Sequence, residues 1–157
     1  MLIINIFTIG KWKSGSLERD LYNAYVRRSG WKINLHELPE SSKLTFDKRQ
    51  LLETENLFIA AKQHGCEEIF ALDETGKHFT SIDFAHKLQQ FGDSGIRKIG
   101  FLIGGDVGFN KQLLFAQQIT IFSFGSMTWP HLLVRAMLAE QLYRAQTIIS
   151  GHPYHRA

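Results

Sequence analysis

Five short apolar stretches, at residues 2–9, 31–38, 68–73, 98–103 and 118–124, alternate along the chain with five stretches of helical character. The apolar stretches are too short for buried helices. In one of them Trp31, Ile33 and Leu35 alternate with Lys32, Asn34 and His36, which is the period of a strand. The intervening stretches carry helix signals. Ser16 stands in an N-cap position ahead of Leu17, Leu21 and Tyr25, one turn apart on a single face. Thr45 opens a stretch that runs to about residue 64, where Gly65 supplies a stop. Ser81 is placed to cap a helix in which Phe84, Leu88 and Phe91 share a face. Residues 110–117 read as a short helix, residues 74–77 as a turn, and Pro130 opens a last helix to about residue 147. Such alternation specifies an α/β fold: a mainly parallel sheet with helices on both faces.

The 157 residues fit a single domain, with no repeat, low-complexity tract or linker to divide them. No apolar run approaches the roughly 20 residues of a membrane span. The N-terminal run lacks a basic leader and leads into Gly10-Lys11, so it reads as a buried strand and not as a signal peptide. The lone Cys66 excludes an intrachain disulfide and a thiolate metal cluster, and fits a reducing cytoplasm. The net charge of +3 is modest, but Lys11, Lys13, Arg19, Arg27, Arg28 and Lys32 crowd one end and Arg135, Arg144 and Arg156 the other. A basic face for an anionic partner and an ordinary solvated surface both fit that distribution.

In parallel α/β sheets ligands sit beyond the carboxyl ends of strands. Three loops leave such ends in the second half of the chain: after Leu72-Asp73, at Gly104-Gly105, and at Phe124-Gly125-Ser126-Met127-Thr128-Trp129. The double glycine is not a dinucleotide fingerprint, because Ile103 stands where a glycine is needed and the strand is the fourth. It offers either a tight turn or a place where a ligand approaches bare backbone. The last loop precedes a helix start, whose free N–H groups suit a polar ligand. In that helix His131 and Arg135 share a face beside the loop. Glu140 and Arg144 form a surface-type i,i+4 pair, which marks Arg135 as the site candidate and Arg144 as structural. The chain closes on His152-Pro-Tyr-His-Arg156. Two histidines without a carboxylate or thiolate make a poor metal cage, so proton transfer, base stacking and phosphate contact are the better uses.

Six blocks then fall in register: Gly10-Lys11, Leu72-Asp73-Glu74-x-Gly76, Ile103-Gly104-Gly105-x-x-Gly108, Met127-Thr-x-Pro-His131 with Leu133-Val-Arg135, Glu140-Gln-Leu-Tyr-Arg-Ala145, and the closing His-Pro-Tyr-His-Arg. Together they resemble the bacterial large-subunit rRNA pseudouridine N3-methyltransferase family of the SPOUT class, along the whole chain. The resemblance implies a deep C-terminal trefoil knot, with knot and cofactor loops within about residues 70–150 and a functional tail at 151–157. It implies S-adenosylmethionine held by Leu72, Gly104, Gly105 and the loop from Phe124 through Gly125, Ser126, Met127, Thr128 and Trp129. It also implies a homodimer that completes its active site across the interface, and a pseudouridine of 23S rRNA in the assembled ribosome as substrate, with no metal and no membrane. Asp106-Val107, Gly125 and Trp129 depart from the commoner family choices; an aspartate near a sulfonium is electrostatically favourable. Tyr154 and His155 are then expected to position the base, with His155 or a water taking the N3 proton, and Arg135 or Arg156 to offset charge on the carbonyl oxygens. A SPOUT enzyme for another RNA, and a ribosome-binding protein without catalysis, are the alternatives.

Overall fold

The computed structural model describes residues 1–156; Ala157, the last residue of the expected tail, lies outside them. Five strands and five helices alternate: β1 (Ile3–Ile9), α1 (Leu17–Arg28), β2 (Lys32–Leu38), α2 (Phe46–Gln63), β3 (Glu68–His78), α3 (Ser81–Asp93), β4 (Lys98–Ile103), α4 (Lys111–Ala116), β5 (Thr120–Ser123) and α5 (His131–Ser150). The strands form one sheet in the order β2-β1-β4-β3-β5, and every pairing is parallel. The α/β expectation therefore holds. Because β5 joins outside β3 while α5 packs on α1 and α3, the path is consistent with a threaded C-terminal segment.

The period of two in the strands builds a core on each side of the sheet. Ile4 and Ile6, Phe70 and Leu72, Ile99, Phe101 and Ile103, and Phe122 face α1, α3 and α5. Phe7 and Ile9, Ala71 and Leu102 face α2 and α4. The first core is aromatic at its centre: Phe70 stacks on Phe101 at 5.3 Å and Phe84 on Phe122 at 5.5 Å between ring centroids. On the other side Gly100 leaves room for Cys66, whose sulfur would lie 3.1 Å from an added Cβ.

Several local expectations shift. Thr80, not Ser81, caps α3 by accepting a hydrogen bond from Asp83 N. The last helix runs on to Ser150 and ends on Gly151 in the left-handed region, φ 72°. In α1 the stripe from Leu17 to Leu21 points outward, at 80% and 45% exposure, and Tyr22 is buried instead. Residues 74–77 do not end β3. They form an irregularity, after which Lys77 and His78 resume pairing with β5. Gly76 lies against β5 so closely that an added Cβ would sit 2.6 Å from the backbone of Ile121 and Phe122. We expect Gly76→Ala to lower stability by about 1–3 kcal/mol through forced backbone movement, visible as a lower urea midpoint.

Candidate active site

A cavity of about 510 Å³ opens beyond the carboxyl ends of β3, β4 and β5. Leu72, Gly104, Gly105, Phe124, Gly125, Met127, Thr128 and Trp129 line it, together with His131 and Val134 from the start of α5. The three loops singled out in the sequence thus converge. Of the expected cofactor residues, Ser126 alone does not line the cavity.

The glycines serve the protein's own packing first. A Cβ on Gly104 would meet the backbone of Gly108 at 3.3 Å, and one on Gly105 would meet Ile9 at 3.1 Å. Gly125 has φ +110° with open space beside it, so its need is conformational. Ser123 Oγ holds that turn, accepting from Gly125 N at 3.0 Å and donating to Gly125 O. Helix α2 braces the double-glycine loop from outside. Arg49 pairs with Asp106 at 2.8 Å, Gln50 Nε2 donates to Val107 O at 2.7 Å, and Thr54 Oγ1 accepts from Asn110 N at 2.9 Å. Sequence reasoning did not single out these three residues, whose partners lie more than fifty positions along the chain. It also set the Asp106 charge free for the ligand, whereas Arg49 engages it.

The polar wall is mixed. Burial raises the Asp73 carboxyl, but hydrogen bonds from Thr75 and the nearby Lys111 outweigh that and hold it below its ordinary range, so it is ionised at neutral pH. Thr128 Oγ1 donates to Glu74 at 3.3 Å, joining the loops after β3 and β5. Burial, then the Arg135 charge, lowers the His131 pKa, so its imidazole is neutral at pH 7. This wall presents the Asp73–Lys111 pair, the Glu74 carboxylate and a neutral ring, a balance that tolerates a cationic group beside Glu74.

Arg135 is not part of this wall. It is fully buried and its two terminal nitrogens are committed elsewhere: Nη1 to Glu37 at 3.1 Å, Nη2 to the carbonyls of Ile9 and Gly10 at 3.1 and 2.9 Å. Its guanidinium lies 4.7 Å from the Trp12 ring centroid, and Glu37 also accepts from Trp12 N at 2.7 Å. The expected contact with substrate gives way to a structural one: Arg135 fastens the carboxyl end of β1 to α5. The helical spacing placed it near the loop but gave no sign of these partners.

The tail lies apart from the cavity, and no described tail residue lines it. After Gly151 the chain turns back on α5. Tyr154 donates its hydroxyl hydrogen to Glu140 at 2.9 Å, and its ring meets Tyr143 edge-on at 4.8 Å. Arg144, read from spacing as structural, sits inside this cluster. It donates to Glu140 through Nε at 3.0 Å and Nη2 at 2.5 Å, and its Nη1 lies 3.2 Å from His155 Nδ1. From α1, Arg28 covers the rings of Tyr143 and Tyr154 at 4.5 and 5.2 Å. Arg156 is exposed.

A parallel sheet with a half-open cavity at the ends of three strands, floored by glycine turns, defines an α/β protein built to hold a small ligand there. The family described as "Predicted SPOUT methyltransferase" matches residues 2–155. A protein of Paramagnetospirillum magneticum named ribosomal RNA large subunit methyltransferase H is 44% identical, over 96% of this chain and 97% of its own. Proteins of that name from Rhodospirillum centenum and Rhizorhabdus wittichii are 40% and 38% identical, over 95% and 99% of both chains respectively. A crystal structure of a proposed RNA methyltransferase from Bacillus anthracis, 11% identical, superposes with a TM-score of 0.57 over 98% of each chain and shares the fold. The chain belongs to the SPOUT methyltransferase family.

Two expectations follow from this geometry. Arg135→Ala leaves Glu37 and two carbonyls without their partner and is expected to cost about 3 kcal/mol of stability. A variant with wild-type melting but no activity would instead return Arg135 to the chemistry. His131 and His36 have pKa values below 6.5, both through burial first, then through Arg135 and His64 respectively. The unfolded chain therefore binds these protons more readily, and stability falls as pH drops below about 6.5 and through the folded values. Urea unfolding at pH 7.5 and 5.5 should show that loss, reduced in the double variant His36→Gln, His131→Gln.

Proposed function

We propose that this protein is a homodimeric, S-adenosylmethionine-dependent enzyme that methylates N3 of a pseudouridine in 23S rRNA, within the assembled ribosome. The observation that carries the reading is the convergence of all three expected loops on one cavity. The names of relatives 38–44% identical over nearly the whole chain support the rRNA substrate. The closing His152-Pro-Tyr-His-Arg156 supports pseudouridine, since that tail is part of the family resemblance.

The cavity suits the cofactor. Its volume lies within the range of small-molecule sites. Leu72, Ile103, Phe124 and Val134 give apolar walls for a purine, and the glycine turns present backbone groups. Glu74 and a neutral His131 tolerate a positive sulfur, Asp73 being paired with Lys111. When bound, S-adenosylmethionine supplies a methyl group activated by that sulfur. The chain's task is then alignment and charge. N3 of pseudouridine must lose its proton, and negative charge spreads to the flanking carbonyl oxygens.

Tyr154 is not the proton acceptor. Burial, with its hydrogen bonds to Tyr25 and Glu140, raises its hydroxyl pKa well above the ordinary value, so it remains a donor that fixes the tail. Arg156, exposed in the tail, would serve to meet a phosphate or a carbonyl oxygen. Glu140 lies nine residues on from His131 (131 to 140), half a turn out of phase on α5. Glu140, the anchor of the tail cluster, is therefore turned away from His131 on that helix. This supports a site that pairs one protomer's cavity with the other's tail.

Methyl transfer from labelled S-adenosylmethionine to whole ribosomes, separated subunits and naked rRNA tests the proposal, using material from a strain lacking this activity. The expected product is a methylated pseudouridine appearing with ribosomes only. A labelled tRNA or a different base would overturn the substrate. Cofactor binding without transfer to any RNA would point to a ribosome-binding protein.

A further inference from the structure

We propose that His155 serves as a hydrogen-bond donor to the target base rather than as acceptor of its proton, and that Arg144 and Glu140 are the positioning residues that keep it in that form. This deepens the methyl-transfer reading above and rests on it. A guanidinium has five N–H donors and no acceptor. The 3.2 Å contact between Arg144 Nη1 and His155 Nδ1 is therefore a hydrogen bond only when Nδ1 accepts. A neutral imidazole whose Nδ1 accepts carries its one ring hydrogen on Nε2. The nitrogen left to face a ligand is thus an N–H donor.

The arrangement is held from behind. Glu140 Oε1 accepts from Arg144 Nε at 3.0 Å, from Arg144 Nη2 at 2.5 Å and from Tyr154 Oη at 2.9 Å. One carboxylate oxygen thus fixes the guanidinium and the tyrosine together. The hydrogen bond to Glu140, foremost, raises the Arg144 pKa and keeps it a cation. Its guanidinium lies 4.8 Å from the Tyr154 ring centroid, and that ring meets Tyr143 on its other contacts. For Nδ1 to take a proton, the Arg144 bond must break and an imidazolium must stand against a guanidinium. A Nε2–H donor needs no such rearrangement. It stabilises the carbonyl oxygen on which charge gathers as the N3 proton departs to water.

Two readouts test this on the full-length protein. In long-range proton–nitrogen spectra of 15N-labelled protein, with His155 assigned by its loss in His155→Gln, the ring should carry its hydrogen on Nε2. Arg144→Lys, which keeps a donor, should preserve that form, and Arg144→Met should give mixed tautomers. In methylation of ribosomes, His155→Gln keeps an N–H donor but cannot act as a base. We expect it within about tenfold of wild type in kcat, against a roughly 100-fold loss for His155→Ala. Glu140→Gln should lower kcat with little change in KM for ribosomes. An Nδ1–H tautomer in the wild type, or His155→Gln as slow as His155→Ala, would overturn the proposal. A wild-type protein that methylates no ribosome would sink the substrate reading, while the spectra would still decide the tautomer.

Discussion

The buried guanidinium of Arg135 is the joint on which the rest of this molecule turns. A parallel sheet leaves a row of carbonyls at its carboxyl edge that need donors. Here two of them, at Ile9 and Gly10, take theirs from a helix more than a hundred residues further along the chain. Glu37 balances the charge and the Trp12 ring covers it. A paired, hydrogen-bonded ion is the tolerable way to bury arginine. The result fixes α5 against the sheet, and α5 supplies both a wall of the cavity through His131 and Val134 and the platform for the tail through Glu140 and Arg144.

The cavity is consequently a product of bracing more than of its own residues. Its glycine turn is pressed on Ile9 from below and tied to Arg49, Gln50 and Thr54 from the side. Its aromatic loop is pinned to the β3 side by Thr128 and Glu74. A ligand that enters meets walls already ordered, so little of its binding energy is spent on arranging them.

What the sequence made legible is what depends on neighbours in the chain. Short apolar runs, one of them alternating, marked the strands, and the positions of Ser16, Gly65 and Pro130 marked helix ends. The convergence of Leu72, Gly104 and Phe124 followed from a rule about strand ends, once the strands were identified. Non-local facts stayed hidden. Nothing near Gly76 announces that β5 passes against it. Spacing alone put Arg135 at the site and Arg144 outside it. In the structure Arg135 is bound to Glu37 and the carbonyls of Ile9 and Gly10, and Arg144 to Glu140 and His155, because a helical repeat gives the face of a residue but not what the fold brings to that face. Leu17 and Leu21 mislead for the same reason, since an apolar stripe does not say whether its own chain covers it.

The separation of the tail from the cavity bears on how lesions combine in a cell. On the proposed dimer each working site draws on two chains. A chain with a ruined cavity and a chain with a ruined tail are both inactive alone, yet a pair made of one of each retains one whole site, built from the sound half of either. Such alleles would complement each other within a single gene, whereas two lesions in the same half would not.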